Sequence, residues 1–557
     1  MFIRKLKRKN NKISLQIVES YRDNNGTSRQ SILENIGTFE EGESLDLGMI
    51  QAQDAWRKLK QKNMLPFEAD DLQKMDQVAE VKEATDTADE DKVCVGDLEV
   101  ERHIDNGIKD IYGHLYSLSG MDTMLATGKK QEHWNKILKD CVLMRINTAA
   151  SKRKISELLE EDQDVSIPLD QIYRLMDKLS ENEISIKKNI FDNTQSLFKE
   201  KIDVAFFDVT TLYFESFKQD DLRCFGFSKD CKFKEVQVVL ALMTTTGGIP
   251  LGYELFSGNK SEGKTLIECI QKFKINYDIQ NILLVADRGM FTEENLTFME
   301  KEKINYIVAA KLKAQKNDIK ENILSFKEEA FRLAGDKRPE GYSQEISLNG
   351  RRLIVNYSAT RANKDFTDRE RLVSRIRKIE KDGKIDLKKL ITNSGSKKFL
   401  KITKETNTGV INTDKITKDA KWDGLHGIIT NDKEITADAA RERYRGLWQI
   451  EAAFRLNKHD LKMRPIFHWK PNRIRAHILF CYICYSVVVS TSFRLKQAKV
   501  QLSFARVKEE LSRVKAAIVM NKKNGQKYLL PKTLTDLQKK IYSALEIPYS
   551  TVAQKIN

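Results

Sequence analysis

Two aspartates in this sequence lie in or at the end of apolar stretches, where a charged side chain is unfavourable unless it binds a partner. Asp208 lies inside the apolar stretch VAFFDVTTLYF, and Asp287 ends a second apolar stretch, ILLVAD. Buried charges normally bind a partner. Hard divalent cations prefer oxygen ligands, and two of them about 3.5–4 Å apart can activate an attacking oxygen and stabilise a leaving oxygen of a phosphodiester. The alternatives are a lysine-paired aspartate at a strand end for Asp208 and a turn-capping aspartate for Asp287.

A third carboxylate is offered by the segment 436–461, TADAARERYRGLWQIEAAFRLNKHDL. It is predicted to form one long helix with Thr436 as its N-cap. At about 100° per residue, four side chains fall within about 60° of arc: Tyr444, Glu451, Arg455 and Lys458. A carboxylate, two cations and a phenol thus share one face. A solvated charged face with an i,i+4 pair between Glu451 and Arg455 has the same pattern, so the helix alone leaves both interpretations open.

A competing chemistry is suggested by SGNKSEGKTL, residues 257–266. Its G-x-x-x-x-G-K-T spacing is typical of the phosphate-binding loop of nucleotide hydrolases, with Lys264 on the phosphates and Thr265 on Mg²⁺. Such a loop follows a buried parallel strand, whereas the preceding strand here is predicted to be the return arm of a short antiparallel hairpin. The separation from Asp287 also leaves room for one helix and no further strand. We therefore expect a strand-to-helix connection, with Lys264 at most near DNA and no nucleotide bound.

Composition favours an anionic partner. The 557 residues carry a formal net charge of +16, with 40% apolar and 32% charged residues. Nucleic acid is the commonest partner of a large basic protein. The longest apolar run, residues 476–489, is shorter than the roughly 20 residues of a spanning helix, so it predicts a buried helix and no membrane contact. The basic N-terminus lacks the apolar stretch of a secretory signal, and we expect a cytoplasmic protein.

Cysteines and histidines indicate no transition-metal chemistry. The seven cysteines form no evident disulfide framework, and the seven histidines show no H-E-x-x-H pattern. Cys481 and Cys484 form a C-x-x-C inside the apolar run without a second pair. Buried free thiols are the favoured interpretation, and a redox or zinc site is the alternative.

The order of predicted elements indicates several domains. Residues 13–37 are predicted to form a β-hairpin with an Asn-Gly turn, preceded by six basic residues that are either a solvated arm or a DNA-contacting module. The predicted organisation is 1–64, a basic hairpin and helix; 65–100, an acidic linker; 101–200, a helical domain; 201–310, the first part of an α/β core; 311–435, a β-rich insertion; 436–470, the glutamate helix; and 471–557, a C-terminal helical region.

Residues 203–310 are predicted to run β-β-β-α-β-α-β. This order resembles a ribonuclease-H-like domain, in which carboxylates on adjacent strands and on a later helix hold two Mg²⁺ ions. The expected fold class is therefore multidomain α/β, with a ribonuclease-H-like core interrupted by the insertion and flanked by N-terminal and C-terminal helical regions.

The sequence resembles the DDE-class insertion-sequence transposases whose glutamate lies in a Tyr-x2-Arg-x3-Glu-x6-Lys signature. YRGLWQIEAAFRLNK supplies Tyr444, Glu451 and Lys458 at those spacings, but Leu447 stands where the signature has arginine. We expect either Arg445 or Arg455 to bind the DNA phosphate in place of the signature arginine. The similarity extends from the N-terminal hairpin to RPIFHWKPNRIRAHI.

The resemblance implies a cut-and-paste transposase in which Asp208, Asp287 and Glu451 hold two Mg²⁺ ions, with Mn²⁺ as a substitute. It implies terminal inverted repeats and target DNA as substrates, and a homodimer that synapses two element ends. Comparable enzymes with an insertion often cut through a hairpin, in which a flipped base stacks on an aromatic side chain. Trp422 is the candidate here, and a core tryptophan is the alternative. A nuclease of the same fold and a catalytically silent DNA-binding protein remain the alternative functions.

Overall fold

The computed structural model describes residues 2–7, 12–22, 28–40, 52, 95–125, 128–198, 203–226, 234–277, 282–287, 289, 292–334, 342–381, 384–387, 395–403 and 408–556. The chain divides into two compact units, Met1–Lys82 and Glu83–Asn557. The predicted turn at 23–27, the helix expected before residue 64 and most of the predicted acidic linker lie outside the described residues.

The first unit is built on a three-stranded antiparallel sheet, β1 (Phe2–Lys7), β2 (Lys12–Arg22) and β3 (Ser28–Glu40), in that spatial order. The middle of β2 is buried continuously from Ile13 to Val18, and Leu15 and Ile17 are buried completely. The predicted hairpin is confirmed as β2 and β3. The stretch expected to be a basic arm instead contributes β1, because its residues pair with β2 from Phe2 to Lys7.

The second unit begins with a strand and a group of helices. Strand β4 (Leu98–Asp105) is followed by α1 (Gly107–Leu118), α2 (Lys129–Asn147), α3 (Lys152–Gln163), α4 (Leu169–Glu181) and α5 (Glu183–Phe198). The helical periodicity expected for residues 103–200 is confirmed from Gly107 onward. Apolar side chains of these helices join the larger of two hydrophobic clusters that flank the central sheet.

The central sheet has eight strands in the order β10-β11-β16-β9-β8-β5-β6-β7. Its first part comprises β5 (Val204–Tyr213), β6 (Gln237–Thr244), β7 (Pro250–Ser257), α6 (Glu262–Tyr277), β8 (Leu283–Ala286), α7 (Glu293–Lys301) and β9 (Asn305–Ala309). Strands β5, β6 and β7 are antiparallel neighbours, whereas β8 and β9 run parallel to β5. The predicted order β-β-β-α-β-α-β is confirmed.

The segment predicted as a β-rich insertion is mixed α/β. It contains α8 (Asn317–Ala334), β10 (Ser343–Leu348), β11 (Arg351–Tyr357), α9 (Ala359–Arg377), β12 (Glu380–Lys381), β13 (Lys384–Asp386), β14 (Leu400–Thr403), β15 (Thr408–Ile411), α10 (Thr413–Ala420) and β16 (Leu425–Thr430). Strands β12–β15 form a small separate sheet. Strand β16 instead pairs with β9, so part of the insertion extends the central sheet.

The predicted long helix over 436–461 is broken. The structure has α11 (Ala437–Arg445), α12 (Trp448–Arg455) and a terminal π-helical turn, Leu456–Asp460. Thr436 caps α11 as predicted, since its side chain accepts a hydrogen bond from the main-chain N–H of Ala439. The break falls at Gly446 and Leu447, between the tyrosine and the glutamate of the predicted face.

Helix α13 (Pro471–Gln497) passes through the larger hydrophobic cluster and carries the predicted apolar run. It is the one helix among the described residues that is long and apolar enough to cross a membrane, but 78% of its most apolar window is buried inside the protein. The prediction of a buried helix is confirmed. Cys481 and Cys484 are fully buried free thiols, as expected.

The C-terminal region is only partly helical, which corrects the prediction for 471–557. After α14 (Phe504–Leu511) come β17 (Lys515–Asn521), β18 (Lys527–Pro531), α15 (Asp536–Ala544) and β19 (Gln554–Ile556). These strands and β4 form a sheet ordered β19-β18-β17-β4. Burial along β17 alternates from Lys515 to Ile518 and is then shifted by one residue, because the pairing with β4 is irregular between Ile518 and Val519.

Candidate active site

The two aspartates lie on neighbouring parallel strands. In the register of β5 and β8, Phe206 is opposite Val285 and Phe207 is opposite Ala286. One residue further along, Asp208 is opposite Asp287, where adjacent strands are about 4.8 Å apart. Phe206 and Val285 both belong to the larger hydrophobic cluster, and side chains two residues apart share a face. Both carboxylates therefore project from the face of the sheet that α11 and α12 cover.

Glu451 is brought to the same face by α12. Ile450, Ala453 and Phe454 bury one side of this helix in the larger hydrophobic cluster, against β5 and β6, and leave Glu451 exposed. Helix α11 lies against β8 and β9. The two helices thus cross the strands that carry the aspartates, and the glutamate stands at the border between packed surface and solvent.

Gly446 sets how closely the broken helix approaches the sheet. A Cβ atom built on this glycine would lie 2.6 Å from Cζ of Phe206, which is itself buried. The backbone at Gly446 has φ −63° and ψ −11°, a conformation that any residue adopts. The glycine is therefore required for close approach and not for an unusual backbone angle.

Tyr444 links the helix to an aspartate. Its hydroxyl donates to Oδ1 of Asp287 at 3.4 Å. Burial raises the pKa of Tyr444, and the neighbouring negative charges of Asp287 and Glu451 raise it further, so the phenol stays protonated. Of the predicted face, the tyrosine therefore contacts the site directly, through Asp287.

His426 is a site residue that the sequence did not reveal. It comes from β16, and its ring lies 5.1 Å from the ring of Tyr444. Burial lowers the pKa of His426 to about 4, and Arg361 contributes in the same direction, so the imidazole is neutral at pH 7. A neutral ring packs against the phenol without adding charge. Only the pairing of β16 with β9 brings it there, so no local signal could have found it.

Lys458 reaches β5, on the strand that carries the first aspartate. Its Nζ donates to Oγ1 of Thr210, which stands two residues beyond Asp208 and on the same face. Arg445 and Arg455 are exposed, and neither occupies the signature position filled by the buried Leu447. Lys458 therefore fastens the end of the glutamate helix to the aspartate strand, while both arginines face solvent.

We expect Thr210→Val to lower the rate of DNA cleavage about tenfold and to leave DNA affinity unchanged. The substitution removes a hydrogen bond to a charged amine, worth about 1.5–3 kcal/mol, but keeps the lysine. Thr211→Val is the matched control, because Thr211 is equally buried on the opposite face of β5. Arg455→Ala should weaken positioning of DNA without affecting metal binding. Lys458→Ala should weaken positioning of DNA and also slow cleavage at least as much as Thr210→Val, because it removes the same hydrogen bond. Normal cleavage by Thr210→Val would show that the bond has no positioning role.

Trp422 lies apart from the helix face. It is half-buried against the smaller hydrophobic cluster and lines a cavity of about 660 Å³, together with Lys311, Arg361 and Arg369. The same cavity is lined by His426, which packs on Tyr444. The tryptophan is thus partly a core residue, and its cavity is linked to Asp287 only indirectly, through His426 and Tyr444.

The segment SGNKSEGKTL has the expected strand-to-helix geometry. It joins β7, the edge strand of the sheet and antiparallel to its neighbour, to α6. Thr265, which a phosphate-binding loop would expose to Mg²⁺, is fully buried, while Lys264 is exposed. The main chain of Gly263 accepts a hydrogen bond from Asn295 of α7 at 2.8 Å. The segment is packed as a structural connection.

Lys264→Ala should leave metal-dependent DNA cleavage within about twofold of wild type, and added ATP should change nothing. An exposed lysine on a packed connection contributes little to stability. Cleavage rates measured with and without ATP check this directly. An ATP requirement, or a loss comparable to that of an aspartate variant, would restore the nucleotide-binding interpretation.

The carboxylates do not form a ready-made metal cluster. Among the residues that the structure describes, no group of three or more His, Cys, Asp or Glu side chains is close enough to hold a metal ion. The candidate site instead consists of the pair of opposed aspartates with Glu451 on the helix that packs over β5. Their donor atoms are all carboxylate oxygens, which suit hard divalent cations.

Family models identify the chain. Residues 199–487, more than half of the sequence, match the family described as Transposase DDE domain. Residues 3–63 match the family described as IS1634 family transposase, N-terminal domain. The first match spans every element that carries the site, from β5 to most of α13.

Two solved structures are distantly similar. A piggyBac transposase synaptic complex with hairpin DNA matches at 9% identity and a TM-score of 0.36, covering 73% of this chain and 77% of that one. A Mos1 transposase paired-end complex with left transposon end matches at 12% identity and a TM-score of 0.14, covering 29% and 58%. No curated protein matches. On the family matches, the chain belongs to the DDE transposases and is an insertion-sequence transposase, an enzyme that transposes DNA.

Proposed function

We propose that this transposase moves its element by cut-and-paste, with Asp208, Asp287 and Glu451 as the catalytic carboxylates of a ribonuclease-H-like core. The observation that carries the proposal is the opposition of Asp208 and Asp287 on adjacent parallel strands beneath the helix of Glu451. The strand order supports the core assignment, because β5 has antiparallel neighbours on one side and parallel neighbours on the other.

The donor set fits Mg²⁺, with Mn²⁺ as a substitute. Carboxylate oxygens alone are hard ligands, and the described site offers no thiolate. Two such ions, when bound, activate an attacking oxygen and stabilise the leaving oxygen of a phosphodiester. The protein itself positions the carboxylates. Strands β5 and β8 hold the two aspartates side by side, and Tyr444 orients Asp287. Lys458 holds the end of the glutamate helix against β5. Asp208, Asp287 and Glu451 would together hold the ions.

The reaction follows from this site. Water attacks the phosphodiester at an element end and frees a 3′-hydroxyl, which then attacks target DNA by transesterification. The energy of the broken phosphodiester is conserved in the exchange, so ATP is not required. The enzyme therefore acts both as an endonuclease and as a strand-transfer enzyme at one set of carboxylates.

The DNA partners are the terminal inverted repeats and the target duplex. The net charge of +16 supports phosphate binding, and the basic sheet within residues 1–64 is suited to reading the element ends. Two protomers synapse two ends, in the cytoplasm and on the bacterial nucleoid. Trp422 would stack a flipped base if cleavage passes through a hairpin, and the support for this role is that its cavity is also lined by His426, which packs on Tyr444. Arg445 and Arg455 contact the phosphate backbone of the DNA from the exposed sides of their helices.

A strand-transfer assay tests the proposal. Purified protein, DNA carrying the inverted repeats that flank the gene, a target plasmid and Mg²⁺ should yield joined product without ATP. Cleavage without joined product would indicate a nuclease of the same fold. Binding without metal-dependent cleavage would indicate a silent DNA-binding protein. Either result would refute the proposal.

A further inference from the structure

A second basic pocket lies beyond the end of the glutamate helix. It has a volume of about 300 Å³ and is enclosed by the corner between α2 and α3, the segment 462–468 and the beginning of α13. Its lining includes five basic residues, Arg145, Lys152, Arg153, Lys462 and Arg464. Two histidines, His468 and His477, also line it, and burial lowers the pKa of both. No carboxylate lines it among the described residues. We name this the α2–α3 pocket.

Two of its cations are buried. Arg145 is 2% exposed and Lys152 is 5% exposed. The guanidinium of Arg145 donates only to main-chain oxygens of Ala150, Leu461 and Lys462, and its Nε has no hydrogen-bond partner among the described residues. Lys152 Nζ lies 3.3 Å from Nδ1 of His477 and 4.4 Å from the centre of the Phe480 ring. Neither cation pairs with a carboxylate in the described part of the chain.

Such an arrangement is unfavourable without an anion. Burial, followed by the charge of Arg145, lowers the pKa of Lys152 to about 7. Burial, followed by the charge of Lys152, lowers the pKa of His468 to about 4. Each buried cation destabilises the others, and an uncompensated buried charge is costly. An anion in the pocket would remove this cost for both cations.

The local backbone also favours an anion. Lys152 and Arg153 are the first residues of α3, a twelve-residue helix capped by Ser151. The positive end of the helix dipole therefore faces the same space as the two buried cations. Phe467, which also lines the pocket, is 66% exposed and offers an aromatic face at its mouth. Cations beside an exposed aromatic ring are characteristic of sites for nucleic acid strands.

We propose that the α2–α3 pocket binds one phosphate group of a DNA strand at a fixed distance from the cleaved bond, a proposal that rests on the proposed function. Leu461, whose carbonyl accepts from Arg145, is ten residues after Glu451 on the helix and its π-helical turn. That separation is on the order of 15 Å at about 1.5 Å per residue. At about 3.4 Å per nucleotide along one strand, the bound phosphate is roughly four nucleotides from the cleaved one.

The test substitutes Lys152 and a matched control. Lys152→Met removes the buried charge and keeps the length, whereas Lys154→Met removes an exposed charge from the same helix, outside the pocket. We expect Lys152→Met to weaken binding of end DNA about tenfold and to lower the salt dependence by about one phosphate contact. The melting temperature without DNA should stay the same or rise, because an unpaired buried charge has been removed. Lys154→Met should change none of these.

End DNA with one neutral methylphosphonate locates the phosphate. A single position, two to six nucleotides from the cleaved bond, should weaken binding by wild type about tenfold and by Lys152→Met hardly at all. Equal losses for both proteins at every position would overturn the proposal, as would a lowered melting temperature for Lys152→Met, which indicates a structural lysine. If inorganic phosphate raises the melting temperature of wild type but no methylphosphonate position weakens binding, the pocket binds free phosphate and not a phosphate of DNA, and the proposal is overturned.

The experiments distinguish an error in the pocket inference from an error in the proposed function. If wild type joins DNA strands and Lys152→Met binds ends as tightly as wild type, only the pocket inference is wrong. If wild type itself joins no strands and binds no ends, the proposed function is wrong, whatever Lys152→Met does. Strand transfer and end binding by wild type are therefore measured first.

Discussion

Asp208→Asn, Asp287→Asn and Glu451→Gln should each abolish DNA cleavage and strand transfer while preserving end binding. The amides keep size and most hydrogen bonding but remove the charge that holds a divalent cation. Metal stabilisation of the reacting oxygens is worth several kcal/mol, and at 1.36 kcal/mol per tenfold its loss slows cleavage about a thousandfold or more. DNA affinity arises mainly from lysine and arginine contacts to phosphate, so it should stay within about threefold.

Matched amide substitutions nearby provide the controls. Asp203 precedes the strand of Asp208, is exposed and pairs with Arg443, so Asp203→Asn should cut normally. Glu442→Gln changes an exposed carboxylate on α11 and should also cut normally. Cleavage by all three site variants would mean that the active site is misassigned. Loss of end binding in any of them would mean that the carboxylate also supports the fold.

Gly446→Ala is expected to slow cleavage about a hundredfold. The added methyl group would overlap Phe206, which is buried on the aspartate strand, so α12 has to move away from the sheet. A shift of about 1 Å in a reacting group can cost roughly a hundredfold. Overpacking of this kind also costs about 1–3 kcal/mol of stability, which a thermal or denaturant melt should detect.

Whether Gly446→Ala lowers or raises the stability of the protein distinguishes close packing from helix propensity as the role of the glycine. Gly446 has a helical backbone, and in an open helix alanine would be more stable than glycine by about 1 kcal/mol. A second change, Phe206→Leu, shortens the facing side chain and should restore part of the activity and stability of Gly446→Ala. If Gly446→Ala alone is more stable and fully active, close approach of helix and sheet is not what the glycine provides.

Much of the site could be predicted because its signals are local. Asp208 interrupts an apolar strand, Asp287 ends another, and Glu451 lies on a helix with an apolar side that follows the capped helix α11. Each of these signals is visible within about 25 residues of chain. The order of elements from β5 to β9 follows from the same short-range patterns. Carboxylates on adjacent strands were expected because this order resembles a ribonuclease-H-like domain.

Other features depend on contacts distant in sequence. Gly446, at the break, lies against Phe206, and a glycine within a helical pattern does not reveal which side chain faces it. His426 reaches Tyr444 only because β16 joins the central sheet beside β9. The strands β17 and β18 were predicted as helix because their pairing with each other and with β4 is not encoded locally. Tertiary pairing overrides propensity in each case.

Strands β4 and β17 pair with each other but are made at very different times during translation. Strand β4 ends at Asp105, and its partner begins at Lys515, about 410 residues later. At about 5–20 residues per second, a ribosome needs roughly 20–80 s to supply the second strand after the first. Until then β4 has an open edge on the side that β17 will cover, and a chain that stops short never closes it. Incomplete copies of this enzyme should therefore be degraded faster than finished ones, so that the cell retains mainly full-length transposase.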